Sequence, residues 1–213
     1  MLKTIILSTA YLPPIEYVAL LLQNNVQLER QEHFQKQSFR NRAHILSGNG
    51  VQALTVPVVN GNKEFPIEEA CIDYSTSWQR DHWRSIVSAY NNSPYFLYYE
   101  DAIRPFYEQR HTHLTTFNEA LLKTILQLLR IDCHWQYTID YERAPEPDYR
   151  KLIHPKRQAE AMYPLRITDS YAQVFEDRFP FTPNLSIIDL LFNEGPQTVS
   201  YLQNLHIELQ HAC

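Results

Sequence analysis

The stretch "KTIILSTAYLPPIEYVALLLQNNVQLER", residues 3–30, decides the fold class. Its first part, "KTIILST" (3–9), is apolar and β-rich, as a buried strand is. Pro13 and Pro14 stand where a helix can begin, because a first turn has no use for the missing N–H. "IEYVALLLQNN" carries helical spacing and stops at Asn24 and Asn25. "VQLER" (26–30) then reads as a second strand. Strand, proline turn, helix and strand open an α/β domain.

The pattern continues outward. "AHILS" and "VQALTVPVV" flank Gly48-Asn49-Gly50, and Asn-Gly is a strong hairpin turn. Pro57 marks an edge strand or a strand end. A helix is expected over 76–91, started by a capping box at Thr76-x-x-Gln79, with Trp83, Ile86, Val87 and Tyr90 on one stripe. Pro105 marks a helix start or break. Thr116-x-x-Glu119 is expected to cap the helix that buries Phe117, Leu121, Ile125, Leu128 and Leu129. "CHWQYTIDY" (133–141) alternates throughout, which predicts a strand with Cys133, Trp135, Tyr137, Ile139 and Tyr141 on one face. Residues 142–168, rich in Pro, Arg and Lys, read as a long loop, and long ordered loops usually carry function. "DSYAQVFEDR" (169–178) and "LSIIDLLFNE" (185–194) are expected to be helical. The second has a capping-box-like start at Ser186-x-x-Asp189, with Gly195 as stop and Pro196 as the next start. The expected fold class is α/β: a small mixed sheet with flanking helices and a helix-rich C-terminal half, with α+β as the alternative. No repeat or domain boundary interrupts 1–213, so a single domain is expected.

Composition narrows the function. The chain has 213 residues, 44% hydrophobic and 20% charged, with a formal net charge of -5. This is globular composition, and the charge argues against a broad nucleic-acid face. Only 4 Gly are present, and neither GxGxxG nor a Walker-type motif occurs. Cys71, Cys133 and Cys213 lie far apart without a CxxC, which suits a reducing cytoplasm. Pro13, Pro14 and Glu16 interrupt the apolar start, so neither a signal peptide nor membrane insertion is expected.

Several side chains can carry chemistry. Lys36, Arg40, Asn41 and Arg42 lead into the hairpin. Arginine forks grip phosphate or carboxylate in a bidentate way. Two readings stand: an anion site, or a solvated basic surface beside Glu29 and Glu32. His82, between Trp78 and Trp83, is either a general base near neutrality or a partly buried histidine with one hydrogen bond. His111 and His113 alternate, but lack further ligands at metal spacing. Acidic neighbours make Cys71 a poor nucleophile. Tyr149, Arg150, Lys151, His154, Lys156 and Arg157 supply a second basic wall. With residues 36–42 it would form an electropositive cleft for a small anionic ligand such as a nucleotide sugar.

Four segments carry a resemblance: "STAYLPPIEYVALL", "FQKQSFRNRAHI" followed by "NGVQALTVPV", "WQRDHWRSIVSAYNNSPYFLYYED" and "FTPNLSIIDLLFNEGP". In this order they resemble the WbqC-like family of bacterial polysaccharide gene neighbourhoods. A departure falls at Ser8-Thr9-Ala10, where many relatives look to carry a Gln-Pro pair. The resemblance implies an enzyme of surface-polysaccharide (O-antigen) or amino-sugar metabolism, transferring a glycyl or other acyl group to a nucleotide-linked amino sugar. His82 is then the expected base. Tyr11, Lys36, Arg40, Asn41, Arg42, Gln79, Arg150 and Lys156 are the expected ligand-binding residues. No metal or other cofactor is expected, and the location is cytoplasmic. The alternative is a non-catalytic binding or scaffold protein of the same pathway.

Overall fold

Ile5, Ile6 and Leu7 are all buried along β1 (Thr4–Ser8) in the computed structural model of the chain, which describes residues 3–143, 145, 147–156, 167 and 169–205. A strand apolar on both faces belongs in a parallel sheet. The chain leaves β1 through the proline turn, forms α1 (Ile15–Gln23) and returns as β2 (Asn25–Glu29). β2 pairs parallel with β1 from Thr4↔Asn25 to Ser8↔Glu29. β5 (Trp135–Tyr137) pairs parallel with the other side of β2, which gives the order β1-β2-β5. The other two strands, β3 (Arg42–Ser47) and β4 (Gly50–Thr55), form a separate antiparallel pair. The sheet content is therefore mixed and the class α/β, with parallel and antiparallel strands in two sheets.

The residues of α1 from Ile15 to Leu21 are all buried, and the helix packs against α7 (Ile187–Glu194) and α8 (Thr198–Asn204). The proline turn is clipped to the start of α7. Ile15 N–H donates to Leu185 O (3.0 Å), Ile187 N–H to Pro13 O (2.8 Å) and Ser186 Oγ to Leu12 O (2.9 Å). Ser186 N–H donates in turn to His44 O on β3 at 2.8 Å. The first and last quoted segments thus meet the hairpin at one junction. The hairpin turns through Gly48 and Asn49, and Gly50, paired with Ser47, takes the positive φ of 97°. β4 stops at Thr55, before Pro57.

The middle of the chain is helical: α2 (Trp78–Tyr90), α3 (Phe96–Ile103), α4 (Pro105–Glu108) and α5 (Leu114–Leu128), followed later by the short α6 (Tyr149–Leu152). No helix among the described residues is long and apolar enough to cross a membrane.

Five local expectations are corrected. Gln79 closes no capping box. α2 begins after Ser77 without a side-chain cap, because Gln79 Nε2 donates instead to Phe106 O (3.0 Å) and Gln109 O (2.6 Å). α5 starts upstream of Thr116, after His113, and the Thr116 hydroxyl donates back to His113 O at 3.0 Å. The strand over 133–141 shrinks to Trp135–Tyr137. Thr138 is buried and donates to Glu29 at 2.7 Å, which ends the alternation and leaves Ile139 89% exposed. Residues 169–178 form turns without a helix. Their Tyr171 and Gln173 side chains reach across to Asp189 on α7, which also keeps that carboxylate from closing the expected capping box.

Candidate functional site

Parallel α/β sheets bind ligands beyond the carboxyl ends of their strands. At that edge Ser8 ends β1, Glu29 ends β2 and Thr138 follows β5. Two arginines, each less than 5% exposed, come to it from different parts of the chain. Arg150, on α6, donates from Nη1 to Glu29 Oε2 (2.9 Å), from Nε to Asp148 Oδ1 (2.8 Å) and from Nη2 to Glu142 O (2.6 Å). Its guanidinium carbon lies 4.8 Å from the centre of the Tyr141 ring. Burial pulls the Arg150 pKa down, but the bonds to Asp148 outweigh it and leave the group raised. The other oxygen of Glu29 accepts from Gln31 N–H and Thr138 Oγ1, both at 2.7 Å. Arg40 grips both oxygens of Glu32: Nε donates to Oε1 at 2.8 Å, and Nη2 donates to Oε2. Ser8 Oγ also donates to Glu32 Oε2, at 3.2 Å. Arg40, Arg150, Ser8, Thr9 and Tyr17 line a cavity of about 10 Å³, which has room for roughly one water.

Outside this cluster lies an open groove of about 700 Å³. Its walls are the loop that follows β2, the turn that follows β4, and Tyr141. The two loops are held together by stacked Phe34 and Phe65 rings, 5.5 Å apart, and by Phe34 N–H donating to Phe65 O at 2.9 Å. Asn60, at a positive φ of 54°, turns the second loop so that Lys63 faces the groove, as Lys36 does from the first. Lys36 Nζ donates to Asn62 Oδ1 at 2.9 Å. Neither lysine has an ion-pair partner among the described residues. Two free cations on facing loops can hold an anion. Between the two loops His33 Nδ1 lies 2.6 Å from Glu64 Oε1, and a carboxylate on one ring nitrogen orients the other for proton transfer. Glu32 lines the groove and also holds Arg40, so it joins the open groove to the buried cluster.

Lys36, Arg40 and Arg150 therefore come to one edge of the sheet. Of the other sequence candidates, Tyr149 lines the same small cavity, and the rest of those described line neither it nor the groove. Asn41 is buried, its Nδ2 donating to Val56 O at 2.9 Å. Arg42 lies on β3, bonded to Thr55 Oγ1 at 3.1 Å and outside the walls of both cavities. Gln79 fastens α2 to the loop carbonyls described above. Lys156 is exposed, and Arg157 lies outside the described residues. His82 sits in an aromatic cluster with Trp78, Tyr107 and Tyr11. Its Nδ1 is 3.0 Å from Tyr11 Oη, which is 2.8 Å from Tyr107 Oη. Burial pushes the His82 pKa down to about 4, against a weaker upward pull from the Thr55 backbone. Neither His82 nor Tyr11 lines the groove or the small cavity.

His33, Asn62, Lys63, Glu64 and Tyr141 were not singled out from the sequence. One local signal pointed their way: Asn60-Gly61 is a second turn dipeptide, which brings Lys63 back towards the first loop. The His33–Glu64 contact spans 31 residues, and the Tyr141–Arg150 contact crosses an irregular loop; neither has a local signature.

A family model described as the WbqC-like protein family matches residues 9–163 and 150–201. The chain is 31% identical over 194 residues to the uncharacterized protein Rv1507c of Mycobacterium tuberculosis, covering 80% of this chain and 84% of that protein. No solved structure matches the chain.

Proposed function

The chain belongs to the WbqC-like protein family, and from that premise we propose that it is a cytoplasmic enzyme of bacterial surface-polysaccharide or amino-sugar metabolism. It transfers a glycyl or other acyl group to a nucleotide-linked amino sugar. The observation that carries this reading is the groove of about 700 Å³ with the unpaired Lys36 and Lys63 on facing walls, at the strand ends where α/β sheets bind ligands. Its volume suits a nucleotide sugar, and the lysines suit the diphosphate.

Transfer begins when the sugar ammonium loses a proton. His33, oriented by Glu64, is the groove-lining base for that step. The freed amine attacks the carbonyl of an activated acyl donor. The C–N bond forms as the bond to the leaving group breaks; the proton held by His33 passes to that group, and the second proton of the attacking amine is shed to water as the amide forms.

Thermal-shift screening with UDP-, dTDP- and GDP-linked amino sugars tests the site. A shift is expected for the wild type, and its loss in the double variant Lys36→Ala, Lys63→Ala. Both side chains are at the surface, so the fold should tolerate their removal. A double variant that keeps the full shift would overturn the assignment.

A second reading is a non-catalytic binding protein of the same pathway. It is favoured by the burial of His82 away from the groove. Mass spectrometry of the bound amino sugar after incubation with an acyl thioester separates the two: acylated sugar supports the enzyme, and unchanged sugar supports the binding protein.

A further inference from the structure

The groove and the small buried cavity are separated by one ion pair. Glu32 lines the groove, Arg40 lines the cavity, and the carboxylate occupies two donors of the guanidinium fork. A carboxylate on an arginine fork makes the same paired contacts as a phosphate oxygen pair. Resting on the nucleotide-sugar reading above, we propose that Arg40 is the inner phosphate seat of the groove and that Glu32 is a built-in stand-in for the ligand diphosphate. Lys36 and Lys63 meet the entering anion. Its inner phosphate replaces Glu32 on Arg40, and the Glu32 carboxylate turns out into the groove it already borders.

Three observations favour exchange at Arg40 over Arg150. Arg150 also sets Nε and Nη2 on one carboxylate, Asp148, but Glu29 and the Glu142 carbonyl hold the guanidinium as well, and Asp148 does not line the groove. Arg40 spends Nε and Nη2 on the single Glu32, and Nη1 makes only a 3.4 Å contact with Gln35. Of the two carboxylates that hold the arginines from β2 and its loop, only Glu32 lines the groove.

The test uses UDP and inorganic pyrophosphate as probes, with dissociation constants from calorimetry for the wild type and for Glu32→Gln. Glu32→Gln weakens the competitor while keeping its shape, so it should bind both probes at least about tenfold tighter, the effect of one charge-assisted contact. It should also melt lower than the wild type and recover more on adding pyrophosphate. Equal or weaker binding by Glu32→Gln overturns the exchange and leaves the groove assignment standing. No binding of either probe by either protein overturns both. If Glu32→Gln does not fold, the wild type decides: the Arg40 Nε–H resonance should move on titration with pyrophosphate while that of Arg42 stays in place, and a stationary Arg40 signal refutes the seat.

Discussion

His82 shows how a residue with the right chemistry can have the wrong surroundings. Its ring lies between aromatic side chains and bonds to the Tyr11 hydroxyl. The folded chain therefore disfavours the charged imidazolium. The folded pKa, about 4, is below the unfolded value of about 6.5, so the unfolded chain binds the extra proton first. The stabilisation is complete above about pH 6.5 and is lost as pH falls towards 4. Between neutrality and pH 5 this one group should cost about 2 kcal/mol of stability. Urea denaturation of the wild type and of His82→Gln at pH 7 and pH 5 checks this. The wild type should lose about 2 kcal/mol more than the variant, because glutamine keeps a hydrogen-bonding side chain but does not titrate. His44 and His111, also shifted down by burial, contribute in both proteins and cancel in the difference. The sequence showed a histidine between two tryptophans, but not which side of the helix faced the core. A partly buried histidine with one hydrogen bond, the alternative to the general base, comes nearer to the position, but the ring is buried and is bonded to both the Tyr11 hydroxyl and the Thr55 backbone.

Elements were read best where a long apolar period or a backbone constraint acts alone. The opening strand–helix–strand, the hairpin and the Gly195–Pro196 boundary follow the residues that suggested them. Gly195 carries two constraints at once. Its φ is 53°, and a Cβ there would lie 2.5 Å from the Tyr95 ring at the start of α3. A ψ of -123° puts Gly195 where glycine alone is at ease, so Gly195→Ala should carry the roughly 1–3 kcal/mol of such backbone strain and reach about 3 kcal/mol with the clash. Chemical denaturation measures the loss, and a loss under 1 kcal/mol would show that α3 shifts to make room. Side-chain caps were read less well, because a capping residue has other partners in three dimensions. Gln79 and Asp189 both left their expected boxes for groups on other elements. Ser186 kept its place: its hydroxyl accepts from Ile188 N–H and donates to Leu12 O. Ser186→Ala should cost about 1–2 kcal/mol, detected as a lowered denaturation midpoint with an unchanged m-value.

At the scale of the whole molecule, charge ties distant parts of the chain to one sheet edge. The sequence marks Arg40 and Arg150 as parts of two basic walls, and one of its two readings sets Glu29 and Glu32 beside the first on a solvated surface. All four are buried, and the pairs span 8 residues in one case and 121 in the other. No periodicity predicts a contact over that separation. The longer pair fastens α6 across the ends of β1 and β2, so its loss should act on the fold before it acts on any ligand. Arg150→Met leaves Glu29 buried with only Gln31 and Thr138 as partners, and should cost about 3–5 kcal/mol. Glu29→Gln, Arg150→Met removes both charges and should recover a large part of that loss, since a buried pair is a poor net stabiliser against neutral side chains of similar size. Urea denaturation of the four proteins in the cycle measures the coupling. A double variant as unstable as the sum of the single ones would mean that the two groups act independently. Raising salt gives a second contrast. The buried pair is poorly screened, while the exposed Lys36 and Lys63 are screened within a Debye length of about 8 Å at physiological ionic strength. Stability should hardly respond, and the affinity for a nucleotide sugar should fall. An affinity that survives high salt would place the ligand's charge on the buried arginines instead of the lysines.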